Sequence, residues 1–176
     1  MNKIPFHFWI WFFSGSGGEP GYRRIINKWI LFHLLIGIII SLLVQISLQA
    51  CANTVLLPLA GIFIGLSFAW IGNAQALLQS DEMIRLSKYH EGGFVEYVFA
   101  YQTAILTILT TLVLWGLSGL NIFDGVWPTV KCNKLYFAVK IILFTLSSLT
   151  LRECWLVVMG VQWMLIVKKE MKNNDK

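Results

Sequence analysis

The feature that most constrains this chain is the twenty-residue run from Trp29 to Leu48, which contains no formal charge. At about 1.5 Å of rise per residue, a helix of that length crosses the roughly 30 Å of hydrocarbon in a bilayer. Three further apolar stretches follow: Thr54 to Leu78, Tyr97 to Leu120, and Tyr136 to Val167. The runs are continuous rather than alternating, which argues against a membrane β-barrel. They predict an all-α fold: an integral membrane four-helix bundle over 25–168, with an interfacial aromatic segment and Gly/Ser linker over 1–24 and a basic tail over 169–176. Composition agrees, since 57% of the residues are hydrophobic and only 13% charged. A soluble domain carries about a quarter of its residues charged.

The charges that remain sit beside the apolar runs. Lys3, Arg23, Arg24 and Lys28 precede the first run, Arg85 and Lys88 link the second to the third, and Lys168, Lys169, Lys172 and Lys176 follow the fourth. The other side holds Lys131 and Lys134, with Lys140 just inside the fourth run. The positive-inside rule then places both termini in the cytoplasm. The net charge of +5 reads as topology and attraction to anionic lipid, with no nucleic-acid fold pattern to suggest another partner. Pro58 lies near the start of the second run, where proline costs a helix little and marks its beginning. The fourth run exceeds a straight crossing, so it is expected to tilt or project.

Outside the spans, Ile4 to Phe13 reads IPFHFWIWFF, too short to cross. Phe8, Trp9, Trp11 and Phe12 suit the headgroup boundary and suggest an interfacial anchor, with packing against the bundle or a neighbouring subunit as the alternative. Ser80 to His90 carries helix start signals in Asp81 and Glu82 and a Gly92-Gly93 stop, predicting a short cytoplasmic helix.

Polar groups within the runs are the candidate functional residues. Arg152 and Glu153 fall near the middle of the fourth run, where an ionised side chain costs about 2.5–3.5 kcal/mol on insertion scales. Neighbouring helix positions differ by about 100°, so the two side chains are expected to point apart and to be neutralised across subunits or by separate partners. Asn73, Gln75 and Gln102 are the candidate partners. Three readings are open: a charge pair that fixes helix packing, a conduction path or gate, and a proton or substrate relay. Thr103, Thr107 and Thr110 follow helical spacing and are expected to bond the preceding turn or a neighbouring helix. Gly61 and Gly65 form a GxxxG, extended by Ala69, which predicts close helix packing within or between chains. Cys51 and Cys132 fall on the outer side of this topology, either as a disulfide or as two thiols.

No catalytic or metal-binding signature is present. His7, His33 and His90 are far apart, and HExxH, paired CxxC, P-loop and strand–GxGxxG–helix patterns are absent. The chain is therefore read as no enzyme, with no metal and no cofactor.

Leu57–Gly61, Ala69–Gln75, Gly92–Tyr97 and Leu149–Trp155 together resemble small four-span bacterial inner-membrane proteins, and more loosely the transmembrane effectors of anti-phage defence systems. That resemblance covers most of the chain from Trp29 onward. It implies an effector that oligomerises and perturbs the membrane when a cytoplasmic sensor or activating protein triggers it. The rival expectations are a membrane scaffold that anchors a partner, and a small transporter.

Overall fold

The computed structural model describes residues 7–15, 20–78, 81, 93–123 and 133–174. Among these residues every regular element is helical. In chain order they are α1 (Phe8–Ser14), a 3-10 turn (Gly21–Arg24), α2 (Trp29–Leu43), α3 (Leu48–Cys51), a π turn (Ala52–Leu56), α4 (Leu57–Leu78), α5 (Gly93–Gly119) and α6 (Asn133–Asn174). Two segments, Val98–Gly119 of α5 and Lys134–Glu170 of α6, are long and apolar enough to cross a membrane. A third crossing exists if α2 and the helical stretch Leu48–Ile62 count as one broken span, bent by 111°. The chain divides into two compact units. The first comprises Met1–Asn27, Leu66–Ile105 and Cys154–Lys176, the second Lys28–Gly65 and Leu106–Glu153.

The helix boundaries differ from the apolar runs in three places, each with a local cause. The first run does not form one helix: α2 stops at Leu43 after 15 residues, about 22 Å, and Val44 is extended with ψ 107°. A new helix then starts at Leu48, where the Ser47 hydroxyl accepts from the Ala50 N–H at 3.2 Å as an N-cap. A run without formal charge does not reveal such a break: Val44-Gln45-Ile46-Ser47 includes two polar residues but no charge, glycine or proline. Pro58 does not begin the second helical stretch, which is helical from Leu48 onward. The N–H missing at Pro58 would have bonded back into the turn before it, and a π turn occupies that position. Finally, α6 runs for 42 residues, about 63 Å, carrying the helix through most of the basic tail. The region of the expected Ser80–His90 helix lies outside the described residues, apart from an exposed Asp81.

In the second unit, Leu48, Cys51, Ala52, Trp115, Leu143 and Phe144 form the buried core. In the first, Ile71, Ala104 and Val157 pack together with Trp70, Tyr101 and Ile105 around them. Trp11 is also buried there. Its ring lies 5.5 Å from that of Phe99 and covers Gly21, where a Cβ would collide with the indole. The aromatic segment is thus two-faced. Trp11 docks on α5, as the alternative of packing against the bundle expects, and Phe8 also meets Phe99, at 5.9 Å. Phe12 lies beside Tyr22, at 6.4 Å, while Trp9, Ile10 and Phe13 stay exposed.

Candidate functional site

The second unit carries a polar seam where α2 packs antiparallel on α6. The buried residues of α2 are His33, Gly37 and Ser41, a strict four-residue spacing that sets them on one face. Opposite them, His33 Nδ1 shares a hydrogen bond with Ser148 Oγ at 2.8 Å. Gly37 lies against the α6 backbone: a Cβ built on it would stand 2.9 Å from the Thr145 nitrogen and 3.0 Å from the Ile141 carbonyl oxygen. Any larger residue must push the helices apart. One turn beyond His33 along the seam come Arg152 and Glu153.

At the other end, α6 holds the break between α2 and α3. The Lys140 ammonium, itself buried, donates to the Val44 carbonyl. The Tyr136 hydroxyl accepts from the Leu48 N–H at 3.0 Å. Tyr136 and Lys140 are one turn apart on α6, so one face supplies a donor to the last carbonyl before the break and an acceptor to the first N–H after it. A cation at a helix C-terminus also meets the negative end of the helix dipole. In an apolar medium a broken helix persists only if its freed backbone groups are paired in this way.

Arg152 and Glu153 pair with each other. Arg152 Nη2 lies 2.6 Å from Glu153 Oε1 and Nε lies 3.2 Å from the same oxygen, with the Glu153 side chain wholly buried and Arg152 at 16% exposure. This corrects the expectation that the 100° offset keeps neighbours apart. The long arginine stem curls back far enough to bring its guanidinium to an adjacent carboxylate. His33 lies within electrostatic reach of both. Asn73 and Gln102, expected as partners, are exposed and belong to the first unit; the side chain of Gln75 lies outside the described residues.

The remaining polar groups mostly bond backbone or one another. Thr103 donates to the Phe99 carbonyl at 2.8 Å and Thr111 to that of Thr107 at 2.9 Å. The buried threonine face runs through residues 103, 107 and 111, leaving Thr110 exposed. In the second unit, Thr150 donates to Thr111 at 2.8 Å, and Trp115 Nε1 donates to Ser147, which donates on to the Leu143 carbonyl. These groups line a cavity of about 70 Å³ against Leu56, Leu59, Ala60 and Ile64 of α4. Their protons are already directed at protein acceptors, so the cavity is mainly apolar in character.

Gly61, Gly65 and Gly72 of α4 meet no atom within 4 Å among the described residues, and Ala69 between them is exposed. The GxxxG is therefore unused in the packing of the described chain; the close helix approach occurs at Gly37. Cys51 is a buried free thiol, and Cys132, the other half of the expected pair, lies outside the described residues. Among the described residues no group of three His, Cys, Asp or Glu side chains stands together as a metal site.

Sequence reasoning missed Gly37, Lys140 and Tyr136. The periodic set His33, Gly37, Ser41 was the available signal for the first. Lys140 was visible as a charge just inside the fourth run but counted only toward topology, and Tyr136 gave no signal. No family model, no curated protein and no solved structure matches this chain.

Proposed function

We propose that the chain is a four-span protein of the bacterial inner membrane with both termini cytoplasmic, which self-associates and acts as an effector that breaches the permeability barrier in anti-phage defence. The charge asymmetry of the loops supports the orientation. α2 itself supplies about 22 Å of the first crossing, and the link to Ser47 adds to it.

The observation that carries the effector reading is the open glycine face of α4. In lipid, small residues let helix backbones approach closely, and they are enriched where helices meet. Here Gly61 and Gly65 face no described neighbour. The cavities that α5 and α6 line are small, about 70 and 150 Å³, and a larger one of about 410 Å³ lies beside α1 against Tyr22 and Ile25, off those helices, so a breach needs several copies. The face open to a second copy is that of α4.

Membrane-potential dye uptake at matched protein levels tests this. Wild-type protein should depolarise cells and crosslink as multimers, and Gly61→Leu with Gly65→Leu should abolish both while insertion persists. A monomeric variant that still depolarises would overturn the reading.

One observation favours the scaffold alternative. Arg152 and Glu153 neutralise each other within one chain, which is what a packing element needs and a conducting path does not. On that reading wild-type protein causes no leak and co-purifies with a cytoplasmic partner. Arg152→Leu then removes the guanidinium that neutralises buried Glu153, costing about 3–5 kcal/mol, with much of the loss recovered by the double change to leucine.

A further inference from the structure

The first unit holds a pocket of about 150 Å³ whose lining includes Arg24, Tyr101, Gly160 and Trp163, with Ala100 and Leu156 as apolar neighbours. Its volume is several waters' worth at about 30 Å³ each, which fits a compact oxyanion and is small for an acyl chain. Three features suit it to an anion. Arg24 ends a 3-10 turn whose backbone is pinned: Arg23 N–H donates to Pro20 at 3.0 Å, Ile25 N–H donates to Tyr22 at 3.0 Å, and the Asn27 amide donates to the Arg24 carbonyl at 3.0 Å. The guanidinium therefore starts from a fixed point, and its five donors serve an oxyanion in a bidentate fork while keeping other contacts. Gly160 makes room for the Tyr101 hydroxyl, since a Cβ there would stand 3.1 Å from the phenol oxygen. Trp163 is half exposed at the rim, the place an indole takes at a lipid headgroup boundary.

We propose that this pocket binds a phosphate group, supplied by the headgroup of an anionic phospholipid. Lys168 and Lys169 lie within two turns of Trp163 along α6, and Arg23 adjoins Arg24, so basic residues cluster in sequence around the pocket's lining. Such clusters draw anionic lipid to the cytoplasmic leaflet. The placement at headgroup level rests on the four-span topology proposed above; the phosphate chemistry rests on the pocket alone.

Native mass spectrometry of the detergent-solubilised full chain, titrated with phosphatidylglycerol, tests the site. Wild-type protein should retain at least one phosphatidylglycerol and discriminate against phosphatidylcholine by about tenfold or more. Arg24→Gln should lose that discrimination, Tyr101→Phe should weaken retention about threefold, and Arg24→Lys should keep only part of it. Arg23→Gln removes the same charge one residue away and should leave retention within about twofold. Thermal melts at matched lipid separate misfolding from loss of the site. Equal losses in the Arg23 and Arg24 variants would reduce the effect to general surface charge and overturn the proposal. Saturable binding of inorganic phosphate, dependent on Arg24 and without lipid preference, would overturn the lipid source. The readout needs neither self-association nor leak, so its failure leaves the effector reading intact, and the reverse holds.

Discussion

Two glycine faces of this protein have opposite fates. Gly37 stands alone in α2, in no recognised motif, yet its Cα faces the Thr145 and Ile141 backbone so closely that a single added carbon would collide. Gly61 and Gly65 form the familiar GxxxG on α4, yet meet nothing within 4 Å among the described residues. A motif reports that close approach is sterically allowed; whether a helix arrives depends on where the rest of the chain is tethered. For α2 the tether is α6, which holds its face through Ser148 and its C-terminus through Lys140.

The comparison breaks most readily at Gly37. Gly37→Leu should displace α2 from α6 and destabilise the protein by about 3 kcal/mol or more, since overpacking alone typically costs 1–3 and here the obstacle is backbone. A detergent thermal melt followed by size-exclusion chromatography measures it; an unchanged melting temperature would show that the close approach contributes nothing. Lys140→Met tests the tether itself. A hydrogen bond from a charged donor is worth about 1.5–3 kcal/mol, so the loss should be near 2 kcal/mol and confined to the break, read as faster amide exchange at Leu48 and its neighbours. Ser148→Ala deletes the partner of His33 and should cost about 1 kcal/mol in the same melt. The smallest effect should have the opposite sign. Gly61→Ala meets no described neighbour and relieves the helix of a glycine, so it should stabilise the detergent-solubilised monomer by up to about 1 kcal/mol. A destabilised monomer would mean that α4 is already packed there.

Much of the fold was legible because run length and absence of charge are direct physical requirements of a crossing helix. α5 and α6 lie where Tyr97–Leu120 and Tyr136–Val167 predict them. The break at Val44 was not legible: Gln45 and Ser47 are polar but uncharged and leave the run unbroken by charge, and what stabilises the break comes from Tyr136 and Lys140, about ninety residues away. Pro58 misled because a proline tolerated at a helix start is equally tolerated behind a π turn. At the candidate site, the position of Arg152 and Glu153 marked them correctly as polar residues in an apolar run. Their mutual pairing was missed because a Cβ direction says little about where the end of an arginine falls. Gly37 was missed because single-glycine contacts leave no motif, although the spacing of His33, Gly37 and Ser41 marks that face in retrospect.

The clamp across the α2–α3 break also imposes an order on biosynthesis. The Val44 carbonyl and Leu48 N–H take their partners from Lys140 and Tyr136, 96 and 88 residues further along the chain. At translation rates of about 5–20 residues per second, the first hairpin exists for roughly 5–20 s before the residues that complete it are made. During that interval the two backbone groups depend on water, on the insertion machinery or on a chaperone for their hydrogen bonds. A nascent chain arrested before Tyr136 should therefore remain sensitive to proteolysis at the link between α2 and α3, and become resistant once α6 has emerged. A helix made long after α2 is the one that finishes it.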